Sequence, residues 1–244
     1  MTDAHDPFAR CQFPVGVRTI QALDEARNRV FPCEIWYPAA EQHAGQDLAA
    51  ETQDRFTTSG GATRIQAAVR AAAARPGRHP LVLFSHASGQ DRRASTFLCT
   101  HLASHGYLVG AADHSEVVAP ELARRDGETP AERAARVEGW IAGRVPDVRF
   151  LLEHLLSGAE WPDDSHPDPA RIGIAGHSFG GWTALAATRV EPRIGAVVAL
   201  APGGSSRRRP GIIPAELSFA WERDVPTLYL VAEKDVSLPL EGMR

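Results

Sequence analysis

Gly176-His177-Ser178-Phe179-Gly180-Gly181 stands between a short apolar run, residues 171–175, and a helix-forming run, residues 182–188. Strand, tight turn, then helix is the setting in which a G-x-S-x-G pattern makes a nucleophile elbow. Glycines leave no Cβ beside so tight a turn, and the serine within it is expected at a strained φ/ψ. Ser178 would then be exposed at the carboxyl edge of a sheet, above the N-terminus of the following helix. The pattern also arises by chance, and the alternative is a glycine-rich strand–helix turn without chemistry.

The surroundings of the elbow repeat its rhythm. Residues 81–84 form a continuous apolar run, as expected of a strand covered on both faces. Residues 93–104 read as helix, 107–112 as strand, 146–156 as helix, 171–175 as strand and 179–188 as helix, with strands again at Ile194–Leu200 and 227–232. This alternation implies parallel βαβ units and a doubly wound, mostly parallel sheet. Ahead of it, residues 13–20 and 30–37 read as an opening antiparallel hairpin. Residues 39–61 read as a polar surface excursion. The alanine-rich stretch 62–75 reads as a helix ended by Pro76-Gly77, or as a mobile arm. Residues 117–143 form a charged insert, and 202–226 holds Arg207-Arg208-Arg209, which reads as a solvated loop or a grip for an acidic substrate group.

The 244 residues are 43% apolar and 23% charged, which suits one α/β domain over 1–244 with a large core. A net charge of −4 gives no broad basic face, so nucleic acid is not an expected partner. Cys11, Cys33 and Cys99 lack metal-type spacing and read as thiols of a reduced compartment, with a single disulfide as the alternative. There is no signal-peptide pattern near the N-terminus and no apolar run approaching about 18 residues, so the expectation is a cytoplasmic protein without a membrane span.

Four segments occur in a telling order: Glu34-Ile35-Trp36-Tyr37-Pro38, Phe84-Ser85-His86-Ala87-Ser88-Gly89, His101-Leu102-Ala103-Ser104-His105-Gly106-Tyr107, and the elbow. Together they resemble the α/β-hydrolases of the platelet-activating-factor acetylhydrolase-like group, which overlaps with dienelactone-hydrolase-like proteins. The resemblance runs from about residue 13 to the end of the chain. It implies an α/β-hydrolase fold and hydrolysis of short acyl esters, small molecules of the kind met in lipid degradation, without cofactor or metal. Dienelactone hydrolases use a cysteine nucleophile. This chain has Ser178, so the implied enzyme is a serine esterase.

Serine ester hydrolysis needs a nucleophile, a base, a carboxylate to orient the base, and oxyanion donors. Ser178 supplies the first, and the Phe179 amide, following the nucleophile, supplies one donor. By resemblance the second donor is the Ser88 amide. The family pattern His-Gly-x-Gly is broken there by Ala87, whose Cβ would distort the loop if φ had to be positive. One donor is worth about 2.7–4 kcal/mol of barrier. Asp235, just past the strand at 227–232, is the expected triad acid, with Glu233 a weaker candidate. The mammalian relatives place their acid one strand earlier, where this chain reads Ala199-Leu200-Ala201-Pro202.

The base is missing from the expected place. Triad order on this fold is Ser, acid, His, and no histidine follows Asp235 among the ten in the chain. His177 should point away from the nucleophile, His86 should buttress the oxyanion loop, and His114 is a poor substitute base. The expectation is therefore a C-terminally truncated hydrolase lacking its last strand and helix, inactive by itself, whose strand at 227–232 forms an exposed apolar edge. His101 and His105, spaced i, i+4, lack the companions of a zinc motif and read as helix packing. Asp113-His114 reads as a strand end with ordinary turn contacts. Trp140, Trp182 and Trp221 read as core residues or as borders of an acyl pocket. Rival readings are a peptidase or polyester hydrolase on the same fold, and a non-catalytic binding protein on a decayed hydrolase fold.

Overall fold

The computed structural model describes residues 9–58, 60–117, 119–204, 214–218 and 220–235. Strands β1 (Val15–Asp24) and β2 (Arg29–Pro38) form the expected antiparallel hairpin, in register from Val15 opposite Pro38 to Asp24 opposite Arg29. Its turn is closed by Asn28 at φ +47°, a conformation that asparagine tolerates, and by the Asp24 carboxylate, which accepts the Arg27 N–H.

The stretch 62–75 is not a helix. It holds β4 (Thr63–Gln66), paired with β3 (Asp54–Thr57) in a separate ribbon, and β5 (Val69–Arg70), which adds in parallel to β1. Residues 39–61, read as an excursion, thus contain β3 as well as a 3-10 turn at Glu41–His43. The reason is tertiary. The Trp36 indole donates to Gln66 (2.7 Å), Gln66 donates to Asp54 (2.6 Å), and Arg70 pairs with both Asp54 and buried Glu34. Tyr37 donates its hydroxyl to the Ala72 carbonyl (2.8 Å), and Ala71 sits at φ +55°. Alanine's helical advantage is a fraction of a kcal/mol per residue, against about 1.5–3 kcal/mol for hydrogen bonds to charged groups.

The rest alternates strand and helix: β6 (Gly77–Ser85), α1 (Thr96–Ser104), β7 (Leu108–Ala112), α2 (Ala119–Leu122), α3 (Pro130–Leu156), β8 (Ser165–His177), α4 (Phe179–Val190), β9 (Ile194–Leu200) and β10 (Thr227–Leu230). The main sheet runs β10-β9-β8-β6-β7-β2-β1-β5 and is parallel from β10 to β7. Alternate side chains divide between two cores. Leu81, Leu83, Ile172 and Ile174 pack with residues of α3 and α4, whereas Phe84, Val109 and Ala175 pack with Cys99 and Ala103 of α1. The sheet is thus doubly wound. Its strand order turns back at β6, which lies between β7 and β8, and a crevice at such a switch point is where open α/β sheets place their ligands.

Helix α3 is longer than the expected 146–156 because it begins inside the supposed insert. Thr129 caps it in a full capping box with Glu132, Pro130 fills the first turn, and Pro146 lies within the helix. No described helix is long and apolar enough to cross a membrane. Cys33 and Cys99 are buried, Cys11 is half-buried, and all three are free; burial pushes the Cys33 thiol up to about 12.

Candidate active site

Strand β8 ends at His177, α4 begins at Phe179, and the single residue between them, Ser178, has φ +54° and ψ −117°. Two glycines make this turn sterically feasible. A Cβ on Gly176 would lie 2.1 Å from the Gly180 carbonyl oxygen, and one on Gly180 would lie 1.9 Å from that of Ser85. The turn is secured by its own backbone. Ser178 donates its N–H to Leu200 of β9 (2.9 Å), and its carbonyl accepts from Trp182 (3.1 Å) and Gly203 (2.7 Å). A non-glycine residue held at such φ/ψ costs on the order of 1–3 kcal/mol, so the surrounding bonds over-determine it. Ser178 is half-buried at the carboxyl edge of the sheet.

The loop after β6 lies beside it, because Phe84 pairs with Ala175 and Ser85 with Gly176. The condition under which Ala87 would distort this loop is not met. The positive φ falls on Gly89 (+72°), and Ala87 is absent from the left-handed region. Ser88 is half-buried, and its Oγ is enclosed without a hydrogen-bond partner. Phe179 occupies the first position of α4, where an amide has no intrahelical acceptor. Its ring stacks on Trp182 at 5.4 Å, and the Trp182 indole donates to the Glu216 carbonyl.

The two buried imidazoles on this side of the sheet, His86 and His114, are committed to other partners. His86 donates from Nδ1 to the Ala87 carbonyl (2.7 Å) and accepts the His114 backbone N–H at Nε2 (3.1 Å). His114 meets Ser85 Oγ through Nε2 (3.0 Å) and Asp147 through Nδ1 (2.8 Å). Asp147 also binds Arg27 and Arg29, so Asp113-His114 is far more than a strand end with turn contacts. Burial holds both imidazoles well below the usual histidine range, aided by the positive charge of Arg144 and, for His114, of Arg29 and Arg27. Neither is placed to take the Ser178 proton, and no described imidazole is hydrogen-bonded to Ser178. Ser85 ends β6, His114 follows β7 and Asp147 lies within α3, so the line Ser85–His114–Asp147 has no motif spacing that would have revealed it in the sequence.

Asp235 closes a turn just past β10, its N–H donating to Ala232 (3.2 Å), and it is half-buried. Register places that turn level with the elbow: Leu200 pairs with His177 on one side and with Leu230 on the other. Two strand spacings, about 10 Å, separate the ends of β8 and β10. Trp140 belongs to the core on the α3 and α4 side, flanked by Arg133 and Arg136. The rings of His101 and His105 lie 4.6 Å apart on α1. Arg207-Arg208-Arg209 lies outside the described residues.

A family model described as chlorophyllase matches residues 54–225. Chlorophyllase-1 of Citrus unshiu is 27% identical over 146 residues, which are 60% of this chain and 39% of that protein. The platelet-activating factor acetylhydrolase of Gallus gallus is 25% identical over an alignment of 214 positions, covering 68% of this chain and 51% of its own length. The chain therefore spans about half or less of these curated relatives. A solved ferulic acid esterase from Streptomyces cinnamoneus superposes with a TM-score of 0.65 at 26% identity, covering 98% of this chain and 70% of the other. The architecture is the α/β-hydrolase fold.

Proposed function

The chain belongs to the chlorophyllase family, and from that membership we propose that it is a serine carboxylic-ester hydrolase for short-chain acyl esters. Ser178 attacks the ester carbonyl, the Phe179 and Ser88 amides hold the oxyanion, and Asp235 orients the base. The observation that carries this reading is the Ser178 backbone. A serine at φ +54° and ψ −117°, fixed between β8 and α4 by two glycines that tolerate no Cβ, is strain stored where a nucleophile must be presented. The name of one relative, an acetylhydrolase, supports an ester substrate with a short acyl group.

The base remains to be supplied. In this reading a histidine acts between the ends of β8 and β10, which lie about two strand spacings apart. Without one, turnover by these 244 residues falls roughly 10⁶-fold below that of a complete triad. Reaction with a fluorophosphonate probe tests the nucleophile, with free imidazole added as the base. The expected result is labelling accelerated by imidazole and abolished by Ser178→Ala. A nitrophenyl ester series set against peptide anilides then separates an esterase from a peptidase. A folded chain that stays unlabelled with and without imidazole overturns the proposal and leaves a non-catalytic binding protein on the same fold.

A further inference from the structure

Arg144 and Glu116 are 1% and 0% exposed, far from the usual habit of such side chains. Their carboxylate–guanidinium contact is direct, through Arg144 Nη2 and Glu116 Oε1. Arg144 Nη1 donates to the His86 carbonyl (2.7 Å) and reaches Ser85 Oγ (3.3 Å). The Glu116 backbone carbonyl accepts the Gly89 N–H (3.3 Å). Residues 86 and 89, the two ends of the loop that carries Ser88, are therefore tied to the two members of one buried ion pair. The guanidinium carbon also lies 4.3 Å from the centroid of the Phe179 ring, beside the other oxyanion donor.

Stability alone is a poor reason for this arrangement. Each buried ion carries a desolvation cost of several kcal/mol, and well-packed apolar residues often do as well or better. The same burial disfavours the charged form of Arg144, and its Nε has no partner. What the pair does provide is a rigid frame. The loop cannot shift without breaking an ion pair out of contact with water, and the planar fork of arginine reaches loop and carboxylate together in a way lysine cannot.

We infer that Arg144 and Glu116 are positioning residues that hold the Ser88 amide against Ser178, bringing both halves of the oxyanion hole under one fixed positive charge. This rests on the esterase reading above. It is tested by the kinetics of fluorophosphonate labelling in imidazole, resolved into probe affinity and maximal rate, for the wild-type chain, Arg144→Lys and Glu116→Gln. A misplaced donor slows the reacting step and leaves recognition of the probe nearly unchanged, so the expected maximal rate for Arg144→Lys is roughly 10–100-fold lower at similar affinity. Glu116→Gln, which keeps the side-chain shape and the backbone acceptor, is expected to lose about threefold or more in the same quantity. It decides the matter if Arg144→Lys does not fold. Wild-type labelling with unchanged maximal rates in folded variants, whatever their melting temperatures, overturns this inference alone. An unlabelled wild type overturns the esterase reading and this inference with it.

Discussion

His86 and His114 are held neutral by burial, and their lowered pKa makes them sensors of acid for the whole fold. As pH falls through about 6.5, an unfolded imidazole takes a proton and a buried one does not. The unfolded state then binds more protons, so stability is full above that pH and declines below it. The limiting slope is about 1.4 kcal/mol per pH unit for each histidine. Burial raises the carboxyls of Asp113 and Asp147, which acts in the opposite sense, so the informative comparison is with His114→Gln. Urea midpoints between pH 7.5 and 5.5 are expected to fall less steeply in that variant, and parallel slopes would contradict the account. At this scale the chain was partly legible. Ser178 could be found because the spacing of Gly176 and Gly180 around it is a steric necessity. The effect of Ala87 stayed open because the sequence does not show which loop residue takes the positive φ, and Gly89 does. The roles of His114, Arg144 and Glu116 were hidden because their partners are distant in the chain.

Helix α3 shows how an element can be announced by one signal and obscured by another. Thr129-Pro130-Ala131-Glu132 spells a capping box with proline at the first helical position, and both reciprocal bonds form, from the Thr129 N–H to Glu132 (2.8 Å) and from the Glu132 N–H to Thr129 (3.2 Å). Pro146, inside the helix, invites a start seventeen residues after Thr129 instead. The misplaced start matters for the site, because Arg144 falls in the turns that would be lost. Thr129 is exposed, so its replacement tests the cap without disturbing a core. Thr129→Ala is expected to cost about 1 kcal/mol, a fall of roughly 2–4 °C in melting temperature for a chain of this size. An unchanged melting curve would mean that packing alone fixes the start of α3. The alanines of 62–75 teach the converse. Local preference favoured helix, and hydrogen bonds to Trp36, Asp54 and Glu34 outweighed it.

Across the whole molecule, the parallel half was readable because each strand is a short apolar run followed by a helix. The outer pairing of β5 with β1 was not, since two residues carry it. Strand β10 lies at the sheet edge, and among the described residues it pairs only with β9. Leu228 and Leu230 are each 52% exposed. Leu228 pairs with Val198, which lines an apolar groove of about 480 Å³ together with Val82, Leu98, Leu102 and Tyr107. An open apolar edge is a template for pairing with another chain. Concentration-dependent association is expected in light scattering, and Leu228→Lys with Leu230→Lys should suppress it. A wild-type chain that stays monodisperse at high concentration would count against an accessible edge. The buried line of Ser85, His114 and Asp147 carries a different consequence. Its atoms follow the order hydroxyl, imidazole, carboxylate at 3.0 and 2.8 Å, the signature by which a distance template recognises a serine hydrolase. A search of this molecule by interatomic distances would thus select Ser85, sealed at 1% exposure, and not the half-buried Ser178 that the proposed mechanism uses. On the strand next to the serine expected to act, where Ser85 pairs with Gly176, the fold carries a decoy of the proposed chemistry.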